Sequence, residues 1–207
     1  MAQSNMWVSA NLGFNGTSSE VIRSGGSTST TKGPKTSGFW IMPTLGYNLN
    51  ENITIGLGIG YESIKTTDDK TVAGGTTNKN ISTTNVMGIM PFMRYNMKVN
   101  DNFGWYAQLD VTPQFGTIKD ESSIGTTTTT TEGKISGFDF GIRPGIGYKL
   151  GDHFSINAHY GVLGYNTKKK TWDDKSTSTI TKVEEKDNSF GLSLDMSTLG
   201  FGLNYHF

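Results

Sequence analysis

The chain has 207 residues, no cysteine, 27 glycines, and 18 basic against 18 acidic side chains. Zero net charge excludes the basic footprint of a nucleic-acid-binding protein, and the lack of cysteine excludes disulfides and thiolate metal sites. No apolar run approaches the ~18 residues of a membrane-crossing helix, but a crossing strand needs only about 9–11 residues and hides half of them from any hydropathy average.

In chain order, the first alternating segment carries Met6, Val8, Ala10, Leu12 and Phe14 on one face and Trp7, Ser9, Asn11 and Gly13 on the other. That period of two is the mark of a strand with one apolar and one polar face. The second segment alternates Phe39, Ile41, Pro43, Leu45 and Tyr47 against Trp40, Met42, Thr44 and Gly46. A tight polar turn leads into the third, with Ile53, Ile55, Leu57, Ile59 and Tyr61 opposite Thr54, Gly56, Gly58, Gly60 and Glu62. The fourth sets Met87, Ile89, Pro91, Met93 and Tyr95 against Gly88, Met90, Phe92, Arg94 and Asn96. The fifth sets Phe103, Trp105, Ala107, Leu109, Val111 and Phe115 against Tyr106, Gln108, Asp110, Thr112 and Gln114.

The sixth has Phe138, Phe140, Ile142, Pro144, Ile146 and Tyr148 facing away from Asp139, Gly141, Arg143, Gly145 and Gly147. In the seventh, Phe154, Ile156, Ala158, Tyr160 and Val162 oppose Ser155, Asn157, His159 and Gly161. The last segment ends in Leu199, Phe201, Leu203, Tyr205 and Phe207, alternating with Gly200, Gly202, Asn204 and His206. Leu192, Leu194 and Met196 are out of phase with that ending, so a β-bulge is expected near Ser197 or Thr198.

Between these segments, connections alternate long and short. The long ones, residues 15–37, 65–84, 119–134 and 166–188, are rich in Gly, Ser, Thr and Asn, lack periodicity and are expected as loops gathered at one end of the sheet. The second, fourth and sixth segments share a phrase, Ile41-Met-Pro43-Thr-Leu45-Gly-Tyr47, Ile89-Met-Pro91-Phe-Met93-Arg-Tyr95 and Ile142-Arg-Pro144-Gly-Ile146-Gly-Tyr148, which marks a hairpin repeat. The expected architecture is all-β, a single domain over residues 1–207: an eight-stranded antiparallel up-and-down barrel.

The choice of face decides where it sits. A soluble barrel fills its lumen with the apolar face, but here a soluble barrel or sandwich would bury Glu62, Arg94, Asp110, Asp139 and Arg143 in the core or leave most of the large apolar residues wet. The apolar face is nearly free of charge and carries aromatics near the short turns: Tyr47, Tyr95, Phe103, Trp105, Tyr148, Phe154 and Tyr205. Such a girdle suits a membrane interface, so the apolar face is expected to meet lipid and the polar face to fill the lumen. Pro43, Pro91, Pro113 and Pro144 stand against this, because a proline inside a strand removes a ladder bond and a closed barrel has no edge to hide it.

The ending at Leu199, Phe201, Leu203, Tyr205 and Phe207 resembles the terminal strand of Gram-negative outer-membrane barrels, and the strands together resemble the OmpX/OmpA-type eight-stranded barrel family, especially Bacteroidetes-like versions. The resemblance covers the strands and not the long connections. It implies termini and short turns in the periplasm, long connections outside the cell, lipid and lipopolysaccharide as surroundings, and insertion by the barrel-assembly machinery, which would read those five residues. Met1 to Ser4 form no secretory signal, so the sequence reads as a mature chain in the outer membrane.

The candidate site is the set of charges facing the lumen: Glu62, Arg94, Asp110, Asp139, Arg143 and His159. Asp110 lies about seven residues and Arg143 about six from their short turns, at ~3.3 Å per residue, so neighbouring strands bring the two to similar depth. Buried charges need partners, and eight strands leave room for little but side chains, so a plugging salt-bridge network is expected. His153, His159 and His206 are too dispersed for a metal site, no His, Asp and Ser converge at the outer rim, and no cofactor or catalysis is expected. Lys168 to Lys170 could meet lipopolysaccharide phosphates. Two functions follow: a non-enzymatic membrane anchor whose outer connections contact other proteins or surfaces, or a small-solute channel or ligand-binding barrel using the polar lumen.

Overall fold

The computed structural model describes residues 5–24, 28–71, 77–174, 181–194 and 199–207. The described chain forms β1 (Met6–Ser24), β2 (Thr28–Asn48), β3 (Ile53–Thr71), β4 (Thr77–Lys98), β5 (Phe103–Ile124), β6 (Thr127–Lys149), β7 (Phe154–His159), β8 (Val162–Asp174), β9 (Thr181–Ser193) and β10 (Gly200–His206). Neighbours pair antiparallel. The seventh stave of the ring is β7 continued by β8, the eighth is β9 followed by β10, and β10 closes on β1 from Trp7↔His206 to Leu12↔Phe201. The result is an eight-stranded antiparallel barrel. Above that closure, no pairing links β9 to β1 among the described residues.

The apolar face points outward. Ile55, Leu57, Leu45, Ile146 and Leu203 are all solvent-accessible on the bare protein, whereas Trp7, Met90, Phe92 and Tyr106 are buried inside. The aromatic girdle lies at the short-turn end, where Tyr47, Tyr95, Trp105, Tyr148, Phe154 and Tyr205 are exposed and Phe103 is half-buried. Tyr205 meets Phe154 and Phe207 edge-on, each at 5.3 Å between ring centroids. A second aromatic level, not anticipated from sequence, comprises Phe14, Phe39, Tyr61, Phe115 and Phe138. From Tyr47 to Phe39 is about 26 Å along β2 at ~3.3 Å per residue, enough for the apolar band of roughly 25 Å of an outer-membrane barrel.

The long connections are mostly strand rather than loop. Strands of 19 to 23 residues run through most of residues 15–37, 65–84 and 119–134, and β8 and β9 cover much of 166–188. β5 and β6 remain paired to Ile124↔Thr127, where Gly125, at φ +60°, opens a two-residue hairpin turn. Threonine suits a pleated surface, and with water on both faces nothing demands alternation. Cross-strand bonds hold the tower: Thr36 to Thr66 at 3.0 Å, Ser122 to Asn80 at 2.8 Å and Ser123 to Thr128 at 2.9 Å.

The prolines are accommodated by lapses in the ladder. Pro43 pairs with Ala10 on one side, while pairing of β2 with β3 stops at Ile41↔Tyr61 and resumes at Thr44↔Gly58. Pro91 and Pro113 share one gap, between Gly88↔Gln114 and Phe92↔Asp110, and each stays paired on its other side. At Pro144 the partner of β6 changes from β8 to β7: Ile142 faces Leu163 but Gly145 faces His159. That is one residue too many on the β7–β8 side, absorbed at Tyr160–Gly161 with Gly161 at φ +83°.

A one-residue slip exchanges the faces. Val162, expected outward, therefore turns inward against Gly141, while Leu163 and Tyr165 face out. Leu199 also departs from expectation, since it precedes β10 and lines the lumen rather than the lipid face. The bulge expected at Ser197 or Thr198 lies outside the described residues.

Candidate functional site

The polar strand faces make a lumen with a closed floor. Across the ladder, Trp7 stands opposite Gly46, Phe92 opposite Gly56 and Tyr106 opposite Gly145. Each ring occupies the space where the partner's Cβ would be, within 2.2–2.3 Å of that point. The small face is thus a set of seats for aromatic plates, in keeping with close-packed interiors. Tyr106 is held from its other side too, because the Arg94 guanidinium lies 4.0 Å from its centroid. Gly145→Ala leaves that ring nowhere to move, and an overpacking loss of about 1–3 kcal/mol is expected in urea titrations of lipid-folded protein.

Below and around the rings, small polar side chains satisfy one another. Asn157 Nδ2 donates to Asn204 Oδ1 at 2.8 Å, Asn204 Nδ2 donates to Ser155 Oγ at 2.9 Å, and Thr54 Oγ1 donates to Asn48 at 2.7 Å. Buried polar groups so paired carry little penalty.

Of the six lumen charges, two meet directly. Arg143 Nε donates to Asp110 Oδ2 at 2.9 Å and its Nη2 to Oδ1 at 3.3 Å, and the Asp110 side chain is fully buried. Gln108 Nε2 reaches the same carboxylate at 3.4 Å. Among the described residues Asp139 takes no arginine; it accepts from Gln114 and Asn166. Arg94 donates through Nε at 3.3 Å and Nη2 at 2.9 Å to Gln108 Oε1, and no carboxylate lies within 4 Å of it among the described residues. Its charge instead faces Tyr106, Trp7 at 5.3 Å and Phe92 at 5.7 Å. His159 lies against Gly200, and Glu62 stands much higher, paired in register with Trp40 and Val86.

Gln108, Gln114, Asn166 and the three aromatic plates were not singled out from sequence. A signal exists for the plates: large rings on a face otherwise built of glycine, each with glycine on the neighbouring strand. Above the plates is a cavity of about 280 Å³, reaching from Arg94 and Gln108 to Trp40 and Glu62. A second, of about 420 Å³, lies along β8 and β9 beside Asp139 and Arg143.

Higher still, Lys169 bridges to Glu184 at 2.5 Å and Lys170 to Glu185 at 3.0 Å, so two of the three consecutive lysines are matched by β9 acids. Hydrogen bonds from Lys169 and then Lys186 hold the Glu184 carboxyl below the usual carboxylate range. Among the described residues, no group of three or more His, Asp and Glu is placed to hold a metal.

No curated protein matches the chain significantly. Among solved structures, it is similar to neisserial surface protein A, with 13% identity, 99% of this chain and 98% of that chain covered and a TM-score of 0.36. It is similar also to OprG from Pseudomonas aeruginosa, with 14% identity, 99% and 97% covered and a TM-score of 0.42. The family described as "Outer membrane protein beta-barrel domain" matches residues 1–162. The chain belongs to that family, and its place is the bacterial outer membrane.

Proposed function

We propose that the protein is a non-enzymatic anchor that carries a β-sheet tower outside the cell for contact with other proteins or surfaces. The observation that supports this best is strand length. β2 continues about ten residues past the upper aromatic level, roughly 33 Å along the strand at ~3.3 Å per residue, and its neighbours keep pace. Crossing the membrane needs only about 9–11 residues, so nearly half of each long strand serves something else. The tower strands are rich in Thr, Ser, Asn and charged residues, and β1 and β9, unpaired with each other among the described residues above the closure, offer backbone edges suited to strand addition by an extended partner segment.

The closed floor speaks against the small-solute channel. Trp7, Met90, Phe92 and Tyr106 are each at most 6% exposed across the barrel's short-turn half. In planar bilayers the folded protein is expected to pass no steady current, and a stable open conductance would overturn the anchor reading.

The direct test shortens the tower. Replacing residues 118–133 by an Asn-Gly turn, with Thr117 and Lys134 paired below it, removes the upper part of one hairpin and leaves the membrane belt. The shortened barrel is expected to keep heat-modifiable migration on gels while cells displaying it lose adherence to protein-coated surfaces or to one another. Undiminished adherence with every long hairpin so shortened would refute the tower's role.

A further inference from the structure

We propose that the lumen cavity above Arg94 binds a small organic monoanion, a carboxylate carrying a short apolar tail. This is independent of the tower, because it concerns the other compartment of the barrel.

The first observation is a missing counter-charge. The two lumen arginines differ: Arg143 has the buried Asp110 carboxylate, whereas Arg94 has one amide oxygen and three ring faces. Removing an ion from water is costly and is recovered only with good partners; contacts with ring faces and a hydrogen bond to a neutral amide return part of that cost. Gln108 is a neutral amide and brings no charge: its oxygen accepts from Arg94 while its amide nitrogen is turned to Asp110. Asp110, which Gln108 links to Arg94, is engaged with Arg143. An anion delivered to Arg94 from the cavity would complete the site.

The second observation is the cavity itself. Arg94 and Gln108 line its lower end, and Met42, Met90, Val86 and Leu199 contribute apolar wall. At about 280 Å³ it sits at the small end of ligand sites, about 300–1,000 Å³, and corresponds to roughly nine water volumes at ~30 Å³ each. That is the bulk of a carboxylate with a five- or six-carbon tail. Unbranched methionines adapt to tails of differing shape.

The third observation selects a single charge. Glu62 and Asp139 line the same cavity toward its other end. A phosphate or dicarboxylate would place its extra charge in their field, while an uncharged tail passes them without repulsion.

The test is calorimetric titration of the protein in lipid nanodiscs, with empty nanodiscs subtracted, using hexanoate, hexanol and acetate. Hexanoate is expected to bind saturably at one site, with hexanol and acetate each at least tenfold weaker, since each lacks half of the recognition. Arg94→Gln is expected to weaken hexanoate at least tenfold and leave hexanol unchanged, and Arg94→Lys to retain part of the affinity. Met42→Trp fills the cavity without touching the cation and is expected to abolish hexanoate binding in a barrel that still migrates as folded. Equal binding of hexanol and hexanoate, no saturation above empty nanodiscs, or affinity indifferent to both Arg94→Gln and Met42→Trp would overturn the proposal.

Discussion

Asp110→Asn is expected to destabilise the folded barrel by about 3–5 kcal/mol, the usual loss when one member of a buried pair is removed. The side chain keeps its size, so no cavity opens; what changes is charge. Asp110 is 1% exposed and receives Arg143 through two nitrogens and Gln108 through a third. In the variant an amide NH₂ group faces the guanidinium, and the partly buried Arg143 keeps its charge with no anion beside it. Asp139 cannot replace the lost partner, since Gln114 and Asn166 already hold it. Urea unfolding and refolding in lipid vesicles, followed by tryptophan fluorescence, measures the loss. Asp110→Asn combined with Arg143→Met is expected to recover more than half of it, because removing both charges leaves nothing to solvate. A single-variant loss below about 1 kcal/mol would mean that lumen water screens the pair, and the closed floor would have to be leakier than its packing indicates.

The parts of this arrangement that could be read from sequence are those that a period of two encodes. Alternation groups Ile55, Ile146 and Leu203 on one face, the charges opposite and the aromatic girdle turn that face to lipid, and the three residues point outward, 42%, 42% and 51% exposed on the bare protein. The tower was not readable, because Thr and Ser strands wetted on both sides carry no alternation and look like loops. The inward turn of Val162 was hidden for a related reason: Gly161 resembles any other small residue of the lumen face, and only its φ of +83° shows that it absorbs an extra residue. In the lumen, equal depth placed Asp110 beside Arg143, since backbone register settles a contact between short-reach neighbours. The partner of Arg94 was beyond such reasoning. Its long side chain selects among several groups, and the choice of Gln108 and three rings depends on which glycines leave room for those rings.

Leu57→Arg is expected to cost about 2–4 kcal/mol in the same vesicle refolding assay, the penalty for arginine on the lipid face near the bilayer midplane. Leu57 pairs with Leu45 on one side and Pro91 on the other, midway between the aromatic levels, and points outward. An arginine there has no lumen partner within reach and must stretch toward either interface. The matching control is Thr130→Arg, in the tower and paired with Glu121, where a shift within about 0.5 kcal/mol is expected for an exposed site. The contrast between the two positions is the measurement, since each changes the chain by one guanidinium and differs only in what surrounds it. Burial in a conventional core would also penalise Leu57→Arg, but it would do so equally in detergent-free buffer, where this barrel is expected not to stay folded. Equal tolerance at Leu57 and Thr130 would mean that both face water, and the apolar belt would then need an explanation other than lipid.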